Sequence, residues 1–324
     1  MSALERIKQP IAEELLRFDS YFKDNLKTNI PLLTVVIRYL LSRKGKQMRP
    51  MLVFLTAKLF REPTQSTYNA AALIEIMHTA TLIHDDVVDD SNQRRGYFSI
   101  NAIWKSKAAV LLGDYLLAKG LLLAVNNREY ELLEIVSDAV KEMSEGELMQ
   151  LKNSRKIFIT QDEYFEIIRK KTATLISCCS ACGAKSVGMP DDTVLKMRLF
   201  GENLGIAFQI RDDLLDYQPH NISGKPIGND IKEKKLTLPL IYALENSKIQ
   251  ERKKLLRLMN NSDKLSLKLK EVRNFVEKYN GLDFAKQKMQ EYASLAIQEL
   301  DQFSSGRIKD SLNQFVEYTI LRDK

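Results

Sequence analysis

The sequence predicts an all-α fold, and three observations carry that expectation. Apolar residues recur at helical spacing through most of the chain, and no stretch sustains the two-residue alternation of a half-buried strand. Glycine and proline are sparse, 13 and 8 among 324 residues, so few breaks interrupt the periodic segments. Charged residues make up 28% and hydrophobic residues 44%, a mixture that suits amphipathic helices and not a disordered or fibrous chain.

The elements follow in order. Pro10 sits early in a first helix, Pro31 opens a second to about residue 42, and Pro50 opens a third to about residue 60; proline is favoured at such starts because its missing N–H would be unpaired there anyway. Arg61-Glu62-Pro63-Thr64 reads as a loop, and Ser66 or Thr67 as the cap of a long helix. Residues 92–99 form a polar loop. Helices are expected at about 100–125, 129–153, 161–187 and 191–218. Two prolines and two glycines within 219–230 mark a break, and shorter helices follow from residue 238. With no repeat, no low-complexity linker and no shift in composition, one domain over 1–324 is the expectation.

Several function classes are set aside. Met1-Ser2-Ala3-Leu4-Glu5-Arg6 lacks the apolar region of a signal peptide, and no uninterrupted apolar run nears the ~18 residues of a membrane span, so a cytoplasmic protein is expected. The net charge is +7, partly from 251–278, which holds nine Lys/Arg against four Asp/Glu. That stretch reads as a solvated helical face, or as a peripheral contact with anionic lipid. Nucleic acid is not an expected partner, because no recognised motif is present and aromatics do not interleave with the basic residues. Cys178, Cys179 and Cys182 have neither a second cysteine pair nor a nearby histidine to complete a zinc site; they read as small residues at a tight helix contact.

Two acid clusters carry the chemistry. One reads Thr81-Leu82-Ile83-His84-Asp85-Asp86-Val87-Val88-Asp89, the other Phe208-Gln209-Ile210-Arg211-Asp212-Asp213-Leu214-Leu215-Asp216. Both contain D-D-x-x-D, and in a helix positions four apart share a face, so Asp85 lies beside Asp89 and Asp212 beside Asp216. Like charges so placed repel, and apolar neighbours raise the cost of leaving them unpaired. A hard cation offsets that cost, and Mg²⁺ suits an all-oxygen ligand set shared with substrate phosphates. Basic elements accompany the acids: Lys44-Gly45-Lys46-Gln47-Met48-Arg49-Pro50 at a loop-to-helix start, Arg94-Arg95-Gly96, Lys171-Thr172 within an apolar helix, Gly224-Lys225-Pro226 and Lys234-Lys235. Arginine binds phosphate in bidentate fashion, and helix starts favour anions. Together they point to polyanions held partly through metal and partly directly, an inventory that two diphosphates would use.

On these motifs the sequence resembles the trans-type (head-to-tail) polyprenyl diphosphate synthases, from about residue 10 to the end. Asp85-Asp86-x-x-Asp89 and Asp212-Asp213-x-x-Asp216 look like the family's first and second Asp-rich motifs, and Gly45-Lys46-x-x-Arg49-Pro50 is similar to its isopentenyl diphosphate clamp. Asn101-x-x-Trp104, Leu112-Gly113-Asp114, Glu145-Gly146-Glu147-x-x-Gln150, Lys171-Thr172-Ala173, Phe208-Gln209, Asp230 and Pro239 continue the match. Two departures stand out: Lys44 and Gln47 where the family often has Gly and Arg, and Phe98 where it often has Pro.

The resemblance implies a single large helical bundle of the isoprenoid synthase type with a central active-site cavity, acting as a homodimer. It implies roughly three Mg²⁺ ions per site acting as Lewis acids, with Asp85, Asp89 and Asp212 as ligands and Asp86, Asp213 and Asp216 in support. Arg94, Lys171, Lys225 and Lys235 would hold the allylic diphosphate, with Thr172 and Gln209 beside the developing cation. Gly45, Lys46, Arg49, His78, Arg95 and Phe208 would hold isopentenyl diphosphate. Ala80 and Thr81, four to five residues before the first Asp, would set product length together with Met77 one turn back. Both are small, which implies a long product of about C30–C50, each buried CH₂ worth about 0.8 kcal/mol, of the quinone side-chain class. Other readings are a short-chain farnesyl or geranylgeranyl synthase, a catalytic subunit that needs a small partner, and a terpene cyclase on the same fold. The second Asp-rich motif and the clamp argue against the cyclase.

Overall fold

The computed structural model describes residues 2–42, 45–94, 97–153, 156, 158–217, 236–261 and 265–321, with backbone alone at 94, 260, 261 and 265–267. Helices dominate it. In chain order they are α1 Ala3–Lys8, α2 Ala12–Asn25, α3 Pro31–Leu41, α4 Met48–Phe60, α5 Gln65–Val88, α6 Ile100–Asn126, α7 Tyr130–Asn153, α8 Gln161–Ile168, α9 Thr174–Lys185, α10 Asp191–Leu215, α11 Leu238–Asn246, α12 Ile249–Asn261, α13 Leu265–Lys278, α14 Gly281–Asp301 and α15 Arg307–Leu321. A 3₁₀ turn, Gln9–Ile11, separates α1 from α2, and a π-helical turn, Arg169–Ala173, separates α8 from α9.

Local details depart from the sequence expectation for identifiable reasons. The chain becomes helical at Ala3, where Ser2 and Glu5 form a reciprocal capping box, and Pro10 falls in the 3₁₀ turn. Thr64, not Ser66 or Thr67, caps α5: its backbone is extended, and its N–H donates to the Thr67 hydroxyl. The expected polar loop at 92–99 includes a two-residue antiparallel ribbon, β1 Gln93–Arg94 with β2 Tyr97–Phe98. The single helix expected over 161–187 is three pieces, and α14, at 21 residues, is not short. The expected break at 219–230 lies outside the described residues.

Contacts within the chain group into two compact units. The first comprises 1–140, 178–198 and 303–314. Its most extensively paired helices are α5 and α6, and small residues let them approach. A Cβ on Gly113 would lie 2.1 Å from the His84 ring, and one on Gly120 would lie 2.9 Å from Met77 Sδ. His84 and Met77 are seven residues apart, as are their glycines, so the two helices run antiparallel with a rung every second turn. α6 is kinked at Lys105 (φ 66°) and exposes Ile103, Val110, Leu111, Leu121, Leu122 and Val125. By length and hydropathy alone α6 is long and apolar enough to cross a membrane, although Asp114 and Lys119 punctuate it and leave no uninterrupted apolar run in the sequence.

The three cysteines are buried in this unit, and a Cβ on Gly183 would come 2.5 Å from the Val53 carbonyl oxygen of α4. Hydrogen bonding to Cys182 and burial push the Cys178 thiol up, and burial does the same to Cys179. Both stay protonated and act as small apolar packing groups, as the sequence suggested.

The second unit comprises 141–177, 199–302 and 315–324. Leu240, Ala243 and Leu244 of α11 meet Leu255 and Met259 of α12 and Val272, Phe275 and Val276 of α13 around Tyr217. Tyr242 of α11 stacks on Phe284 of α14 at 3.9 Å between ring centroids. Here too glycines admit backbone: a Cβ on Gly146 of α7 would lie 2.7 Å from the Lys171 amide nitrogen, and one on Gly205 of α10 would lie 2.5 Å from Ala173 Cα. The π turn is thus gripped on two sides.

Gly183→Ala, which must displace both the Val53 carbonyl and the Thr56 Cβ of α4, is expected to lower stability by about 1–3 kcal/mol, read as a drop in the thermal unfolding midpoint. An unchanged midpoint would show that the contact is slack.

Candidate active site

Both acid motifs sit at helix C-termini. Asp85 and Asp86 occupy the last turn of α5, and Asp89 is its C-cap, donating its N–H to the Asp85 carbonyl at 2.8 Å. Asp212 and Asp213 occupy the last turn of α10, and Asp216 lies in the turn just beyond. A helix C-terminus carries the equivalent of about half a negative charge, so each motif adds carboxylates where the backbone field already opposes them. Sequence spacing gave the shared faces but not this placement.

Within the first motif, Asp85 is half-buried and Asp89 exposed, while Asp86 is turned inward. The Asn101 amide donates to the Asp86 carbonyl at 3.4 Å and its own oxygen accepts from the Ser106 hydroxyl, while Ser99 caps α6. These contacts tie the start of α6 to the end of α5. His84, seated over Gly113, places Nε2 3.2 Å from the Val110 carbonyl and 3.5 Å from Asp114 Oδ1. The Asn101 and Leu112-Gly113-Asp114 matches therefore mark residues that brace the first acid motif.

The second unit holds a hydrogen-bonded chain. The Thr172 hydroxyl donates to Gln209 Oε1 at 2.9 Å, and Gln209 Nε2 donates to Asp213 Oδ1 at 3.1 Å. Asp213 Oδ2 accepts from the Tyr164 hydroxyl at 2.7 Å and from the Leu238 N–H at 3.1 Å. Asp213 is buried, and three protein donors satisfy it, so it anchors α8, α10 and the start of α11. Asp212 and Asp216 are each half-buried. Lys171 Nζ lies 2.5 Å from Glu147 Oε2 and 3.1 Å from Gln150 Oε1, and Lys170 Nζ lies 2.5 Å from Glu145. Glu145-Gly146-Glu147-x-x-Gln150 is thus a cradle for the two lysines, with the glycine admitting their backbone.

The clamp residues lie in the first unit. Gln47 is the N-cap of α4 in a left-handed conformation, φ 57°, and its side-chain amide donates to Asp19 of α2 at 2.5 Å. That contact gives the departure at Gln47 a structural use. Gly45 and Lys46 are exposed. Arg49 forms a bidentate pair with Glu75 of α5, at 2.7 Å from Nε and 3.2 Å from Nη2. Burial pulls the Arg49 guanidinium down, the Glu75 charge pulls it up, and the net direction is up. Glu75 uses two of the five donors, leaving the others to meet an anion. His78 and Phe208 are half-buried, and Thr81 donates its hydroxyl to the His78 carbonyl at 2.9 Å. Ala80 is fully buried and Met77 lies on the α5–α6 seam against Gly120. Phe98, the second departure, accepts the Tyr39 hydroxyl on its carbonyl at 2.8 Å. The Arg94 side chain, Arg95, Lys225, Asp230 and Lys235 lie outside what the structure describes.

Glu75 and Tyr164 were missed by sequence reasoning. Glu75 had a signal, as the one acid between residues 69 and 84 of an otherwise apolar helix; Tyr164 had none. Glu75→Ala leaves Arg49 without its partner. Because that pair is about a quarter exposed on the arginine side, the loss is expected at about 1–3 kcal/mol, below that of a fully buried pair. Denaturant unfolding measures it, with Glu75→Gln expected to lose less.

The Polyprenyl synthetase family model matches residues 30–276. Octaprenyl diphosphate synthase of Escherichia coli (strain K12) is 31% identical over 99% of both chains. The crystal structure of a decaprenyl diphosphate synthase from Rhodobacter capsulatus superposes with a TM-score of 0.91 at 32% identity, covering 99% of each chain. That of a polyprenyl synthase from Caulobacter crescentus CB15, complexed with calcium and isoprenyl diphosphate, gives 0.90 at 30% identity over 99% of this chain and 98% of its own. Geranylgeranyl diphosphate synthases are among the relatives as well. With the family model covering three quarters of its length and full-length relatives at this identity, the chain belongs to the polyprenyl synthetase family.

Proposed function

We propose that this enzyme condenses isopentenyl diphosphate head to tail with an allylic diphosphate to make a long all-trans polyprenyl diphosphate, between hexaprenyl and decaprenyl, for quinone side chains. One observation carries the reading: both Asp-rich motifs are intact, each at a helix C-terminus, in a chain matched end to end by octaprenyl and decaprenyl synthases.

The donor set fits Mg²⁺. Asp85 and Asp89 share one face at a negative helix end, and Asp212 lies half-buried at another. Among the described residues no three His, Cys, Asp or Glu side chains form a ready-made cage, so a bound ion would complete its shell with water and substrate phosphate oxygens, as Mg²⁺ commonly does. When bound, the ions, about three in number, would neutralise charge on the departing diphosphate. Lys171, oriented by Glu147 and Gln150, and the side chains of Arg94, Lys225 and Lys235 would share that task. The allylic C–O bond breaks, and diphosphate leaves with the electron pair. The double bond of isopentenyl diphosphate, held by Lys46, Arg49, His78 and Arg95 with Gly45 and Phe208 beside them, attacks the allylic cation. Thr172 and Gln209 would stabilise that cation, and the released diphosphate accepts the proton lost from the new chain.

A homodimer is part of the proposal. The exposed apolar residues of α6 need a cover, and a second copy presenting the same residues would supply one. A cytoplasmic setting agrees with water-soluble substrates.

Incubation with Mg²⁺, farnesyl diphosphate and labelled isopentenyl diphosphate, followed by sizing of dephosphorylated products, tests the reading. A ladder ending between hexaprenyl and decaprenyl is expected. Ala80→Phe is expected to shorten it to farnesyl or geranylgeranyl length; a wild-type stop there would instead make this a short-chain synthase, and no incorporation would point to a missing subunit. Tyr164→Phe removes one donor from Asp213, worth about 1.5 kcal/mol for a bond to a charged group. It is expected to lower kcat about tenfold with KM for isopentenyl diphosphate unchanged; a rise in KM alone would deny Tyr164 its positioning role.

A further inference from the structure

The basic stretch at 251–278 is not uniform once folded. Lys278 pairs with Glu251 at 2.5 Å and Arg273 with Glu277 at 2.9 Å. Arg252 donates to the Glu245 and Ser247 carbonyls and lies over the Phe158 ring. Those charges are spent inside the unit. Lys253, Lys254 and Arg257 are different: all three are exposed, and none has an ion pair or side-chain hydrogen bond among the described residues.

They share one face of α12. Gln250, Lys253, Lys254 and Arg257 fall at i, i+3, i+4 and i+7, and together line a shallow depression of about 310 Å³. The other face carries Leu255 and Met259 into the core. At the head of the helix, one turn from Lys253, Ile249 is 68% exposed. An unpaired basic face with an exposed aliphatic residue beside it has the composition of an interfacial helix, in which the charges meet anionic headgroups and the apolar group enters the acyl boundary.

We infer that the α12 face of Ile249, Lys253, Lys254 and Arg257 docks the enzyme on an anionic lipid bilayer. Charge complementarity selects this occupant. A second copy would bring the same positive face and be repelled, on a chain already at +7. Duplex nucleic acid calls for a longer track of phosphate contacts than four positions on one helix supply. The face shares no residue with either acid motif, so its binding is measurable whether or not the proposed chain length holds.

Co-sedimentation of the full-length protein with vesicles tests the inference. Vesicles of equal parts phosphatidylcholine and phosphatidylglycerol are expected to bind it at low salt and release it at high salt, and phosphatidylcholine alone to leave it in solution. Replacing Lys253, Lys254 and Arg257 with Gln is expected to weaken partitioning on the order of 100-fold, from roughly fivefold per positive charge removed, and reversing all three to Glu is expected to weaken it further. Ile249→Ser is expected to weaken the binding seen at low salt. A charge-matched control, Lys23, Lys107 and Lys196 to Glu, guards against an effect of net charge alone and is expected to weaken it far less. Circular dichroism of each variant confirms folding. No binding to the anionic vesicles, equal losses in the two triple Glu variants, or loss of duplex DNA binding without loss of vesicle binding would each overturn the inference.

Discussion

Negative charge at the C-terminal ends of two long helices is the constraint on which the rest of the structure depends. The last carbonyls of α5 and α10 have no intrahelical donors, and each helix end adds a cluster of aspartates to that field. Such an end is poor protein design unless something positive arrives. The surrounding side chains manage the wait in two ways. Asp86 and Asp213 are turned into the protein, and Asp213 is saturated with donors from three elements. Asp85, Asp89, Asp212 and Asp216 keep some exposure to solvent. Within each motif, then, one aspartate is turned inward and its neighbours keep a face toward solvent.

Glycine supplies the rigidity behind this arrangement. Gly113 and Gly120 let α5 and α6 approach so that His84 and Met77 seat in the gaps, and Gly146 and Gly205 press the backbone of α7 and α10 onto the π turn. None of these four adopts a positive φ. Their use is the missing Cβ, which brings main chain to within van der Waals distance of main chain or ring. The side chains that orient the polar residues at the chemistry, such as Glu147 and Gln150 for Lys171, therefore project from closely packed backbone.

Much of this was legible in the sequence. Helical periodicity gave the extents of α3, α6 and α7 within a residue or so, because each begins at a proline, serine or polar break that punctuates strongly. The acid motifs and the paired Lys171-Thr172 were read from residue type and spacing. The cap of α5 was misread because Thr64, Ser66 and Thr67 are all competent, and backbone conformation alone chooses among them. The Arg49–Glu75 and Tyr164–Asp213 contacts span 26 and 49 residues, and no local rule predicts which of several polar side chains will meet across such distances. The ion pairs within 251–278 were hidden for the same reason: sequence counts charges, while folding decides which remain unspent.

The π turn has one more consequence. Its Thr174 N–H reaches back to the Arg169 carbonyl, five residues away, in place of the usual four. An extra residue is thereby stored in a single helical turn, and it works as a phase shifter: the side chains after it are rotated by about 100° relative to an uninterrupted helix. The tyrosine before the turn reaches Asp213, the lysine and threonine within it reach Glu147 and Gln209, and the cysteines after it are packed away, all from one nearly continuous rod. The length of this segment therefore matters as much as its side chains. Loss of one residue would leave a longer and more regular helix whose every later side chain faced the wrong way.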